Sequence, residues 1–154
     1  MKDRITSLRF FVFVFLVILF SSCYNKLKTQ LIYESKCLDS AYEKVTLNKL
    51  FDSPISYNLK LIEIEGYYSC GYEKSSLSTK RHINNTSRSL WLSSEGADSL
   101  KNLTSGFYLV GSQDTFNNIC NRKLIVRGVF DAHSHGHLGK YFGAIKNICY
   151  IECK

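Results

Sequence analysis

Two stretches of this sequence follow one pattern, and they limit the folds open to the chain more than any other feature. Ile62-Glu-Ile-Glu-Gly66-Tyr-Tyr68 and Leu124-Ile-Val-Arg-Gly128-Val-Phe130 align at their glycines, 62 residues apart. In the first, Ile62 and Ile64 face one way and Glu63 and Glu65 the other, the two-residue period of a half-buried strand. A glycine inside a strand gives up side-chain packing and marks a bulge or a sharp bend. The match is too short to argue gene duplication. It says that two strands need the same device, as strands do when they pass from one side of a small barrel to the other.

The remaining segments are short. Thr46-Leu-Asn-Lys-Leu-Phe51 puts Leu47, Leu50 and Phe51 on one helical face, and Asp52-Ser53-Pro54 is expected to end it. Tyr72 to Arg88 is polar and reads as a long loop or irregular hairpin, with a weak strand around Leu77. Ser89-Leu-Trp-Leu92 is a short apolar strand. Asp98 to Leu103 fits one helical turn, Phe107 to Gly111 another short strand, and Asp114 to Asn121 a loop. Lys123 to Lys154 reads as two strands joined by a turn rich in histidine and glycine.

This series predicts a mainly β chain, a small, partly closed β-barrel with one or two short helices. It resembles the OB-fold. More narrowly, it resembles uncharacterised exported bacterial proteins with an OB-like domain. The elements that carry the resemblance are the helix before Pro54, the Ile62–Tyr68 strand, Leu90-Trp-Leu92, and the hairpin from Val126 through Gly136-His-Leu-Gly139 to Ile145. The resemblance spans about residues 42–152 and implies a fold but no activity.

The first residues read as an export signal. Lys2, Arg4 and Arg9 form a basic region, and Phe10 to Phe20 is an apolar run of 11 residues. A membrane span needs about 20 such residues, whereas a secretory signal uses about 7–15. Phe20-Ser-Ser-Cys23 then resembles the lipobox of bacterial lipoproteins, with Phe20 where leucine is usual. The resemblance implies a diacylglycerol thioether on Cys23 and acylation, typically by palmitate, of the new N-terminus. Two or three acyl chains, at roughly 0.8 kcal/mol per buried CH₂, anchor a protein stably without a spanning helix. The expected organisation is a signal peptide over residues 1–22, a polar tether over 23–40, and an OB-like domain over 41–154. The expected location is the bacterial cell envelope.

Losing residues 1–22 removes three basic residues and Asp3, taking the net charge from +7 to +5. With no Lys/Arg run, this mildly basic surface argues against nucleic acid as a partner. Five cysteines remain after Cys23: Cys37, Cys70, Cys120, Cys149 and Cys153. Export favours disulfides. An odd count allows at most two bridges and leaves a thiol, and sequence alone does not choose the pairing. Cys149 and Cys153 lie about 13 Å apart on an extended strand, too far to bridge each other.

Asp131-Ala-His-Ser-His-Gly-His137 is the densest cluster of metal-ligating side chains. Asp-x-His-x-His resembles the first strand of metal-dependent amidohydrolases. That fold needs a large (β/α)₈ barrel downstream, and only 19 residues follow His135. A local zinc or copper site remains conceivable: His133 and His135 share a strand face, and a turn at Gly136 would bring back His137, with Asp131 or a cysteine completing the shell. The competing expectation is a structural turn, with Gly136 and Gly139 allowing positive φ.

No serine elbow, HExxH, P-loop or dinucleotide-binding glycine turn occurs. The chain is therefore expected to be a non-enzymatic, lipid-anchored binding module whose partner is an envelope protein, a peptide or a glycan. The alternative is a metal-binding envelope protein. Candidate ligand-face residues are Tyr67, Tyr68, Tyr72, Trp91, Tyr108 and Tyr141, with Trp91 expected in the core.

Overall fold

The computed structural model describes residues 31–36, 41–81, 86–95, 97–106, 108–109 and 119–154. Its strands are β1 (Ile32–Glu34), β2 (Glu43–Val45), β3 (Leu61–Gly71), β4 (Lys74–Ser78), β5 (Ser89–Leu92), β6 (Lys101–Asn102), β7 (Lys123–Asp131) and β8 (Gly143–Cys153). Two short helices, α1 (Leu47–Asp52) and α2 (Pro54–Tyr57), precede β3. Among the described residues no helix is long and apolar enough to cross a membrane.

Five strands close a barrel. β3, β4 and β5 form an antiparallel meander. β5 runs parallel to β8, β8 antiparallel to β7, and β7 antiparallel to β3. This is the connectivity of an OB-like barrel, and closure leaves these five strands without a free edge. Its interior is filled by Ile62, Ile64, Tyr68, Leu77, Leu90, Leu92, Leu124, Val126, Phe130, Ile145 and Ile151.

The two repeated segments pair with each other. Ile62 stands opposite Gly128, Ile64 opposite Val126, and Gly66 opposite Leu124. Each glycine serves a close approach. At Gly66, where β3 leaves β7 for β4, a Cβ would stand 2.8 Å from Leu77 Cγ and 2.9 Å from Leu47 Cδ1. At Gly128, beside a register shift against β8, it would stand 2.7 Å from Ile145 Cγ2 and 2.8 Å from the Lys146 carbonyl oxygen.

The Lys49 amide donates to Thr46 Oγ1 (3.3 Å), which caps α1. Leu47 and Leu50 of that helix are buried in the core. Pro54 does not simply end the helix as expected. It occupies the first turn of α2, where its missing N–H costs nothing.

Three further expectations are revised. β1 lies inside the stretch expected to be tether; it pairs with β8 and with β6, so the folded unit begins before residue 41. The weak strand at Leu77 is a full barrel strand, β4, because Leu77 is buried against its neighbours. The strand expected at Phe107–Gly111 is, where described, a single bridge from Tyr108 to Lys101; Phe107, Val110 and Gly111 lie outside the described residues.

The cysteines divide by environment. Cys70, at the end of β3, is bridged to Cys120, just before β7. Cys149 is also disulfide-bonded. Cys153 is a buried thiol, and burial pushes its pKa up to about 11. Cys37 lies outside the described residues.

Candidate functional site

A cleft of about 420 Å³ opens where the N-terminal elements meet the barrel wall. The parallel pairing of β2 with β3 places Val45 beside Ile64. The chain then turns into α1, whose buried Leu47 and Leu50 leave Thr46 and Asn48 outside. The opposite wall is built from Glu65, Gly66 and Tyr67 of β3, from Thr79 after β4, and from Lys123 at the start of β7. Tyr67 and Lys123 are direct cross-strand neighbours. Lys123 Nζ is ion-paired with Glu65, and that contact holds the ammonium above its ordinary pKa. The Tyr67 ring is half-buried, with the Arg81 guanidinium 5.7 Å from its centroid. The cleft is therefore of mixed polarity, its lining charges balanced, and contains one aromatic ring.

The six aromatic residues expected on a ligand face are not gathered on one. Tyr67 alone lines the cleft. Tyr68 is 1% exposed in the barrel interior, where burial pushes its hydroxyl up to about 12. It alternates inward with Ile64 and Gly66, so it is a core residue. Tyr72, 88% exposed, sits in the β3–β4 turn. Tyr108 is exposed beside Lys101. Tyr141 is buried against Trp91, with ring centroids 5.0 Å apart.

Trp91 is not a core residue as expected. It points outward between the buried Leu90 and Leu92, and the loop joining β7 to β8 covers it. A Cβ on Gly136 would stand 2.6 Å from the indole Cγ. Within the loop the His135 imidazole Nδ1 lies 2.9 Å from the Tyr141 carbonyl oxygen, and the Phe142 amide, donating to the Ser89 carbonyl (3.0 Å), ties it to β5. His137 Nε2 lies 2.9 Å from Glu73 Oε2 in the β3–β4 turn, an ion pair when the imidazole is protonated. OB barrels usually bind ligand on the face of their second and third strands. Here those strands are β4 and β5, and the protein's own loop lies over Trp91 on that face.

The same contacts decide the histidine turn. Asp131 Oδ1 accepts hydrogen bonds from the His133 amide (2.9 Å) and the Ser134 amide (3.1 Å), while its Oδ2 pairs with Lys146 Nζ (2.9 Å). The Lys146 contact, with these amides, holds the Asp131 carboxyl below its ordinary pKa. His133 is exposed, His135 is turned to the loop backbone, and His137 to Glu73. Among the described residues no three His, Cys, Asp or Glu side chains are grouped to hold a metal ion. Gly136 and Gly139 do have positive φ, at 60° and 65°.

A cross-strand row of charge runs over the wall of β2, β3, β7 and β8. Lys44, Glu63, Arg127 and Tyr150 stand side by side on β2, β3, β7 and β8. Arg127 Nε donates to Glu63 Oε2 (2.7 Å), Lys44 Nζ lies 3.1 Å from Glu63 Oε1, and the guanidinium sits 4.0 and 4.2 Å from the Tyr42 and Tyr150 ring centroids. Burial pushes the Glu63 carboxyl up, but Arg127 and Lys44 outweigh it and its pKa lies below the ordinary value. This row joins the strands and closes on itself. Its signal in the sequence was the repeated segment, since antiparallel pairing of the two copies sets Glu63 opposite Arg127.

Sequence reasoning missed Thr46, Asn48, Glu65, Thr79 and Lys123 as cleft residues. They come from four separate segments, and no local pattern links them. Cys23, the expected lipidation site, lies outside the described residues. No protein-family model, curated protein or solved structure matches the chain, so the OB-like assignment rests on strand connectivity alone.

Proposed function

We propose that this chain is a lipid-anchored, non-catalytic binding module of the bacterial cell envelope, a relative of exported proteins with OB-like domains. The observation that carries the binding reading is the Tyr67 cleft: a concave, mixed-polarity site on a closed, rigid barrel. Small-molecule sites are commonly clefts of about 300–1,000 Å³ with a few placed polar groups and an aromatic ring. The anchor reading rests on Phe10–Phe20 and Phe20-Ser-Ser-Cys23. Its partners are the membrane, through acyl chains on Cys23, and a ligand held at the cleft; nucleic acid is not among them, since Lys123 and Glu65 leave the cleft uncharged overall.

The test expresses the full chain in a bacterial host fed an alkyne-tagged palmitate. The wild type is expected to take up label and to fractionate with membranes. Cys23→Ala is expected to lose both. A Cys23→Ala protein that stays equally membrane-bound without label would overturn the anchor.

A further inference from the structure

We infer that the Tyr67 cleft is a carbohydrate site, with a saturated sugar ring laid against Tyr67 and its hydroxyls bonded to Asn48, Thr79 and the Lys123–Glu65 pair. The inference rests on the reading of the cleft as the binding site and names its ligand class. Four observations narrow the class.

The first is charge. Lys123 and Glu65 are paired across the wall, and Arg81, 5.7 Å from the Tyr67 centroid, is not among the lining residues. A phosphate or carboxylate against the lining would therefore meet Glu65 beside the lining's one lysine. A neutral ligand incurs no such repulsion. The second is polarity. Polar and apolar atoms share the lining about equally, the apolar residues beside the Tyr67 ring being Val45, Leu47 and Gly66, which suits a ligand with both polar groups and an apolar face. The third is backbone pairing. Peptides often bind by adding a strand to a sheet edge, but β3, β4 and β7 already have both edges paired, and the free edge of β2 is only three residues long, Glu43–Val45.

The fourth is the set of groups on offer. Tyr67 gives a partly exposed ring face, which packs against the C–H face of a pyranose by dispersion and weak C–H contacts. Asn48 and Thr79 carry amide and hydroxyl groups with no side-chain hydrogen bond among the described residues. Asn48 provides both donor and acceptor, Thr79 a hydroxyl that does either, Lys123 further donors, and Glu65 acceptors only. Vicinal sugar hydroxyls act as donors and acceptors at once and match this mixture. None of the residues lining the cleft belongs to the β7–β8 loop that packs on Trp91, so the cleft is not covered by it.

The test uses the full chain in detergent micelles and titrates maltose, cellobiose and N,N′-diacetylchitobiose, with inorganic phosphate and trialanine alongside. Binding of at least one disaccharide with Kd near or below about 1 mM is expected. Tyr67→Ala and Asn48→Ala should each weaken it about tenfold, Tyr67→Phe should retain it, and Tyr72→Ala should leave it unchanged. Asn48 is exposed, so its variant is informative even if Tyr67→Ala folds poorly. Binding of no saccharide, or saccharide binding indifferent to both Tyr67→Ala and Asn48→Ala, would overturn the inference. Binding of trialanine or phosphate in place of sugar, lost in the same variants, would overturn the sugar assignment while leaving the cleft as the binding site.

Discussion

Replacing Gly128 with alanine tests the argument that closes the barrel. The added Cβ would lie 2.7 Å from Ile145 Cγ2, 2.8 Å from the Lys146 carbonyl oxygen and 3.3 Å from Ile148 Cα. Carbon–carbon contacts sit at about 3.5–4.0 Å, so a shift of about 0.8 Å is required. Ile145 is fully buried, and Lys146 and Ile148 present backbone atoms of β8. Neither side yields cheaply. Overpacking of this kind costs about 1–3 kcal/mol, and the two contacts under 3 Å place it near the top of that range. Alanine also restricts the unfolded chain, which returns about 0.4–1 kcal/mol. The net loss is about 2 kcal/mol, or about 8 °C in Tm for a domain of this size. Gly71→Ala is the control: its nearest atom is Lys74 Cβ at 3.8 Å and its φ is not positive, so only the unfolded-state effect remains and stability should hold or rise slightly. Thermal melts followed by circular dichroism, with urea unfolding at 25 °C, read both. Equal stability of Gly128→Ala and wild type, or equal losses at Gly128 and Gly71, would refute the claim that close strand approach is what selects glycine.

Two further outcomes are expected. Glu63 and Asp131 titrate below their ordinary values of 4.5 and 3.8 in the folded chain. Their contribution is therefore present above those values and is lost as pH falls through the lower folded-state pKa values. Urea unfolding at pH 6, 4 and 3 should show stability dropping below about pH 4.5, and Glu63→Gln should flatten that drop; an unchanged slope would sink the ion-pair argument. Trp91 is the only tryptophan, so its emission reports the covering loop directly. Gly136→Ala places a Cβ 2.6 Å from the indole at a residue with φ of 60°, which should lift the loop, red-shift emission and raise acrylamide quenching. Identical spectra would show that the loop does not bear on Trp91.

The glycines show how far local pattern carries. Ile62 and Ile64 were legible as one-sided strand residues because alternation is a property of neighbours in sequence, while the apolar run Leu124-Ile-Val126 was legible only as a strand. Leu47 and Leu50 as the buried face of α1 were legible from the same kind of local period, whereas the Thr46 cap came only with the structure. Of the cleft residues only Tyr67 was named beforehand, since Asn48, Thr79 and Lys123 carry no mark until α1, β3, β4 and β7 are placed together. Tyr68 was misplaced because an aromatic residue in a strand reads the same whether its side faces inward or outward, and Tyr141 because its packing on Trp91 is a contact between distant segments.

By itself, then, the sequence determined a short-stranded, glycine-bent β chain with a small helix, and a histidine turn built on Gly136 and Gly139. Those follow from side-chain period and backbone freedom, both local. Only the tertiary structure decided that β1 belongs to the fold, that Cys70 bridges Cys120 while Cys153 stays a thiol, that the four turn residues Asp131, His133, His135 and His137 turn to separate surroundings, and that a cleft of mixed polarity forms beside Tyr67. Each of these depends on which distant segments pair, and pairing is settled by the closure of the whole barrel, in which Gly66 and Gly128 admit neighbours that no side chain would allow.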